Sequence, residues 1–157
     1  MTTEPRVVRK ETFTAVGMKI RTTAMSPEIP KLWARFAPRI GEVTSIAEPQ
    51  VSYGLMVNFD PAQGRFDYMA AVSVQVPSPR LPDGMVALEV PACMYAVFTT
   101  TLTDIGSAFA HIYQRWLPNS GFKPADGPQF ERYDESFDPA DPNSRIEIYV
   151  PVIARRP

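Results

Sequence analysis

Ile105-Gly106-Ser107-Ala108-Phe109-Ala110-His111-Ile112-Tyr113-Gln114-Arg115-Trp116-Leu117-Pro118 is the stretch on which the fold turns. Ile105, Ala108, Phe109, Ile112, Tyr113, Trp116 and Leu117 recur at spacings of three and four, so the segment predicts a helix over Asp104–Leu117 with one apolar stripe. Thr103 or Asp104 can cap its first turn, and Pro118 with Asn119-Ser120-Gly121 stops it. Eighty residues upstream the pattern recurs. Ser26-Pro27 starts a helix there, Ile29, Leu32, Trp33 and Phe36 continue it, and Pro38 ends it. At that offset Leu32-Trp33 aligns with Ile112-Tyr113, Phe36 with Trp116, and Pro38 with Pro118.

Around each helix the chain reads as strands. Val7–Arg21 is rich in β-branched residues, and Val51–Phe59 with Phe66–Val76 forms a hairpin around Asp60-Pro61-Ala62-Gln63-Gly64. Met85–Leu102 is extended and bent near Pro91. Pro128–Asp134 and Arg145–Ile153 flank the polar insert Ser136–Ser144. The order strand, helix, strand, strand thus occurs twice, which marks an internal repeat. The offset of 80 also pairs Tyr53 with Tyr133 and Asp67 with Glu147, and an offset of 81 pairs Ala15-Val16 with Ala96-Val97. The reading is an α+β fold: one domain over 1–157, with halves at roughly 5–76 and 85–155 joined by Pro77–Gly84. Each half leaves one sheet face uncovered, so the sister half is expected to cover it, leaving a pseudo-twofold ligand groove at the junction.

Composition narrows the function. The 157 residues are 45% hydrophobic and 21% charged, with a net charge of −1. That is a globular balance, and it lacks the basic run a nucleic-acid partner requires. Seventeen prolines, about twice ordinary usage, punctuate the periodic segments. No signal-peptide core opens the chain and no apolar run reaches about 18 residues, so no membrane partner is expected and a cytoplasmic location is. One cysteine, Cys93, cannot form an internal disulfide and reads as a buried hydrophobe. The single histidine, His111, lies off the apolar stripe. Together they rule out a metal site built on histidines or thiolates. No Gly-rich phosphate loop or triad motif occurs, so no cofactor is expected.

The chemistry-bearing stretch is Gly127-Pro128-Gln129-Phe130-Glu131-Arg132-Tyr133-Asp134. On a strand Glu131 and Tyr133 share one face; in the last strand Arg145, Glu147 and Tyr149 share one face and Ile146, Ile148 and Val150 the other. With the aliphatic set under the helices, both Glu/Tyr sets are expected on the opposite face, where the halves meet. A carboxylate among rings suits a flat organic cation, which stacks on ring faces while the acid balances its charge. Tyr53, Tyr68, Tyr133, Tyr149 and Trp116 could build such a cage. The same spacings also fit a surface ion pair of Glu131 with Arg132 or Arg145, and core packing for Trp116.

Three motifs occur in order: Ala108–Gly121 with Tyr113-x-x-Trp116-Leu117-Pro118-x-Ser120-Gly121, then Phe130-Glu131-x-Tyr133, then Glu147-x-Tyr149-x-Pro151. In these the chain resembles the GyrI-like small-molecule-binding domains, relatives of the effector-binding domains of AraC-type and multidrug-responsive activators. The first half agrees in element order and in Val51-Ser52-Tyr53-Gly54. The resemblance implies a duplicated fold with a groove between the halves, binding diverse, often cationic and aromatic compounds on a buried glutamate. It points to Glu131 as anchor, with Glu147 the other candidate. It also implies a stand-alone sensor or sequestering protein, since only a short tail precedes Val7. The alternative it raises is a hydrolase that opens the cyclopropyl rings of DNA-alkylating natural products, with Glu131 as general base; binding without turnover is the preferred reading. Inhibition of a topoisomerase, which the family name suggests, finds no acidic tail or amphipathic arm here.

Overall fold

The computed structural model describes residues 4–76 and 80–155, so Pro77–Pro79 of the expected linker lies outside the described residues. The first half contains β1 (Arg6–Lys10), β2 (Phe13–Thr23), α1 (Glu28–Phe36) with a 3-10 extension (Ala37–Glu42), β3 (Ser52–Asp60) and β4 (Arg65–Val74). The second contains β5 (Val86–Val90), β6 (Cys93–Thr101), α2 (Ile105–His111), β7 (Phe122–Pro124), β8 (Gln129–Tyr133) and β9 (Arg145–Ala154). α2 runs on through a π turn (Ile112–Trp116) into a last turn at Leu117–Asn119. This is the α+β architecture read from the sequence, two helices on a large antiparallel sheet. The Ser26 hydroxyl accepts the Glu28 amide at 3.1 Å and starts α1, as Ser-Pro at that place suggests.

The halves are not stacked face to face. They join edge to edge through β3 and β8, giving one continuous sheet in the order β1-β6-β9-β8-β3-β4-β2-β5, with β7 on β9. A pseudo-twofold axis runs through the β3–β8 seam. The Val7–Arg21 stretch is not one strand. It breaks at Glu11-Thr12, and β1 crosses to pair with β6 of the other half, while β5 returns to pair with β2. Each half therefore closes the other's sheet edge, which protects the backbone groups that an open edge would expose.

Three cores result. Under α1 lie Leu32, Phe36, Tyr68 and Ala70; under α2 lie Phe98, Ile112, Ile148 and Val150. The third, with Tyr53, Leu55, Tyr95, Phe130 and Tyr149, fills the opposite face. Leu32 and Ile112 are both fully buried at matching places, and each such aliphatic side chain contributes about 1.5–3 kcal/mol.

The cross-strand registers define the true equivalences. Met18, Ala70 and Gly54 form one row across β2, β4 and β3; Phe98, Ile148 and Glu131 form its counterpart across β6, β9 and β8. Gly54 is thus the sister of Glu131. The offset of 81 and the Tyr53–Tyr133 match both fail, because they pair residues on opposite faces: Val16 and Ala96 lie beneath helices, and Tyr53 does not. No single offset holds because the helix-to-strand connection is longer in the first half.

β2 and β4 approach closely at Gly17, where an added Cβ would stand 1.8 Å from the Ala70 carbonyl oxygen. Backbone cannot move aside as a flexible side chain can. Gly17→Ala is expected to cost about 2–4 kcal/mol, read as a lower urea midpoint of tryptophan fluorescence; an unchanged midpoint would refute the close packing.

Candidate functional site

Directly opposed residues of an antiparallel pair share a face. Glu131 opposes Ile148, so Glu131 and Tyr133 lie on the helix face, while Arg132 opposes Glu147 on the other. The expectation that both Glu/Tyr sets share the helix-free face is therefore half corrected. Strand alternation shows which residues go together; only the partner strand shows where they point.

Glu131 is 7% exposed and sits at the β3–β8 seam. Its Oε1 accepts hydrogen bonds from the Tyr68 hydroxyl at 2.8 Å and the Tyr133 hydroxyl at 2.6 Å. Trp33 Nε1 donates to the Tyr68 oxygen at 3.0 Å, and the Trp33 ring meets Tyr133 edge-on at 5.5 Å. Three strands and α1 thus converge on one carboxylate: Tyr68 from β4, Glu131 and Tyr133 from β8, Gly54 from β3. Gly54 is indispensable to this geometry. A Cβ there would stand 2.1 Å from the Tyr68 hydroxyl oxygen and 2.7 Å from Glu131 Oε1.

At the other end of the seam Tyr113, carried by the π turn, hydrogen-bonds Gln129, whose amide reaches the Met56 sulfur at 3.2 Å. Trp33 and Tyr113 are sisters under the pseudo-twofold. They stand at opposite ends of a strip whose midpoint is the Gly54–Glu131 pair.

Among the described residues no lysine or arginine pairs with Glu131, so the surface ion pair with Arg132 or Arg145 is not formed; Arg132 pairs with Glu48 and Glu147 instead. Burial raises the Glu131 carboxyl above the ordinary carboxylate range, and the two tyrosine hydroxyls oppose part of that rise. Tyr68 and Tyr133 are pushed well up, first by burial and then by the Glu131 charge. Both phenols therefore stay protonated donors.

The other expected site residues lie elsewhere. Tyr53, Tyr149 and Glu147 occupy the opposite face: Tyr53 donates to Glu48 at 2.6 Å, Tyr149 stacks on Phe130 at 4.6 Å, and Glu147 pairs with Arg6 at 2.8 Å. Trp116 packs edge-on against Phe98 at 5.1 Å and stacks on Phe122, the core role its stripe position suggested. Of the seven residues, then, only Glu131, Tyr68 and Tyr133 come together. Trp33 and Gly54 join them without having been singled out. Trp33 reads as core from its stripe, although its alignment with Tyr113 was a signal. A glycine inside a strand is a signal of close approach. Among the described residues no group of three or more His, Cys, Asp or Glu is placed to hold a metal ion, and no helix is long and apolar enough to cross a membrane.

Comparison with known proteins bears on this arrangement. The family model described as integron-associated effector binding protein matches residues 6–152. The chain belongs to this family. The relationship extends to the transcriptional regulator BrlR of Pseudomonas aeruginosa, 40% identical over 150 residues, covering 94% of this chain and 54% of that one. A DNA gyrase inhibitor of Yersinia enterocolitica is 34% identical over 76 residues, 46% of this chain and 48% of its own. The chain thus spans about half the length of the curated relatives it matches. Among solved structures, SAV2435 bound to tetraphenylphosphonium superposes with a TM-score of 0.73 at 17% identity, covering 96% of this chain and 94% of that one. The integron cassette protein of Vibrio cholerae gives 0.68 at 21% identity, with 97% of each chain covered. At those identities the likeness is one of fold. Small-molecule effector binding is the property of the family, and the resemblance to GyrI-like domains read from the sequence holds.

The Gly54 contact yields a test. Gly54→Ala is expected to cost about 1–3 kcal/mol by forcing the Tyr68 hydroxyl off Glu131. In the double variant with Tyr68→Phe, which removes the clashing oxygen, the further loss should be smaller than in the wild-type background. Strictly additive urea midpoints would refute the contact.

Proposed function

We propose that the seam between the helices binds small aromatic organic cations, with Glu131 as counter-charge and Trp33, Tyr68 and Tyr133 as ring faces, and that the chain acts as a sensor or sequestering module for such compounds. One observation carries the reading: a buried carboxylate with no ion pair among the described residues, held by two phenols among aromatic rings. Burying an acid without a cation is unfavourable, which is why its proton affinity rises. A cation arriving there replaces the proton as the compensating charge. Each ring face adds about 0.5–2 kcal/mol when the ligand is desolvated. The family's effector-binding character and the tetraphenylphosphonium complex of SAV2435 support the same chemistry.

The regulatory setting is part of the proposal. BrlR is named a transcriptional regulator, and this chain corresponds to about half of it. A ligand-reading module of that size changes its own conformational balance only by the ligand's differential affinity for its states.

Tetraphenylphosphonium and neutral triphenylphosphine oxide, titrated calorimetrically, test the reading. Glu131→Gln is expected to weaken the cation at least about tenfold, with a change under about threefold for the neutral compound. Equal losses for both would sink the electrostatic role. The pH dependence follows from the raised carboxyl. Folding favours the protonated form of this group relative to the unfolded chain, so the stability it contributes is complete below the ordinary carboxylate range and is lost as pH rises through the raised value. The cation needs the ionised form. Its affinity should therefore rise with pH across the same window, and binding there should release a proton, read from the dependence of the heat on buffer ionisation enthalpy. A flat profile would count against it.

A further inference from the structure

The strip between the helices has a second end, and its chemistry differs from that around Glu131. Gln129 precedes Glu131 by two residues on β8 and opposes Met56 of β3, so its side chain stands on the same helix face. Met56 packs against the core under α1. Gln129 is half-buried and Tyr113, above it, is 41% exposed, so this end meets solvent while Glu131 is closed from it. Tyr113 is brought there by the π turn that continues α2, a rare form of helix found mostly at functional sites.

The pseudo-twofold shows how far the two ends have diverged. The axis that exchanges Gly54 with Glu131 also exchanges Met56 with Tyr133 and Trp33 with Tyr113. At the first end an indole meets a phenol, and that phenol serves the carboxylate. At the second end the phenol is on the helix, a thioether replaces it on the sheet, and a carboxamide lies between them. That end carries no charge.

The carboxamide is unevenly satisfied. Its oxygen accepts from the Tyr113 hydroxyl, a strong donor. Its nitrogen, 3.2 Å from the Met56 sulfur, gives a proton to a thioether, which is a weak acceptor. Tyr113 fixes which way the amide points. Burial pushes its hydroxyl up to about 12, so it stays a protonated donor and keeps the Gln129 oxygen toward the helix and the nitrogen toward β3. A ligand oxygen that replaced the sulfur would take a better hydrogen bond than the one it displaced.

We propose that Gln129 is a specificity-determining residue of the seam, its amide nitrogen recognising a neutral oxygen acceptor that the ligand carries about 7 Å from its cationic centre, the spacing of alternate residues along one strand face. The inference rests on the reading of the seam as a cation site, and it narrows that reading to cations with a carbonyl or ether oxygen on an aromatic arm. Tyr113 is the positioning residue for this contact.

Two phosphonium salts matched in shape test it. (4-Acetylphenyl)triphenylphosphonium holds its carbonyl oxygen at that distance from phosphorus; in (4-isopropenylphenyl)triphenylphosphonium a methylene group takes the place of the oxygen. Calorimetric titration of the full chain is expected to show the acetyl compound binding at least about threefold more tightly. In Gln129→Leu the preference is expected to vanish. A wild-type ratio of one or below overturns the proposal, as does a preference that survives Gln129→Leu. The wild-type ratio needs no variant and decides alone if Gln129→Leu does not fold. Glu131→Gln keeps this inference apart from the reading beneath it. If that variant weakens both compounds while wild type prefers neither, the cation site stands and the Gln129 contact falls. If it weakens neither while the Gln129-dependent preference persists, the contact stands and the counter-charge falls. Failure of wild type to bind either compound overturns both.

Discussion

The pairing of β3 with β8 is the constraint from which the rest of the molecule follows. It converts two sheets that would each leave a bare edge into one, and it sets the pseudo-twofold axis through the Gly54–Glu131 pair. Because opposed residues in an antiparallel ladder share a face, that single register decides that Glu131 points toward the helices. It decides as well that Tyr133 stands beside it and that Arg132 turns to the ion pairs behind the sheet. A slip of one residue would exchange the two sets and put an arginine on the helix face. The exchanged edge strands β1 and β5 reinforce the register from outside, since each half is held at its far edge by a strand of the other.

Much of this was open to a reading of residues alone. The helices were legible because their apolar stripes are continuous, and the duplication was legible because Leu32 and Ile112, then Phe36 and Trp116, fill matching places beneath them. Glu131 with Tyr133 stood out as an acid and a ring on one strand face. Three things were not legible. The break at Glu11-Thr12 sends β1 across the molecule, and a run of β-branched residues carries no mark of its partner. Which face a strand pair presents depends on that partner too, so alternation within β9 leaves open that Glu147 and Tyr149 lie on the other side of the sheet from Glu131 and Tyr133. Trp33 hides on its stripe, because a ring that roofs a site and a ring that fills a core occupy the same helical positions.

The two sides of the sheet treat charge in opposite ways. Behind it, Glu48 and Glu147 are saturated by arginines and hydroxyls, and burial is shallow enough for water to share the cost. On the helix face, Glu131 receives, among the described residues, only hydrogen bonds from neutral phenols. Those bonds favour the ionised form without cancelling its charge, so the carboxyl remains raised rather than lowered. The contrast separates an ion-pair network from a carboxyl buried, among the described residues, without a cation, a condition that lowers stability.

Symmetry also explains why there is one such acid and not two. Residues opposed across an antiparallel pair hold their Cβ atoms about 4.5–5.5 Å apart. Had duplication kept a glutamate at both sister positions, two carboxylates would meet on the axis, and like charges at that distance cannot both ionise in a buried site. One would stay protonated, and the volume above the seam would be filled by side chain. Glycine at position 54 removes the second acid and makes the room into which Tyr68 and Glu131 lean. The seam therefore departs from the repeat at its centre: one buried acid, opposed by a glycine, between two helices that still match.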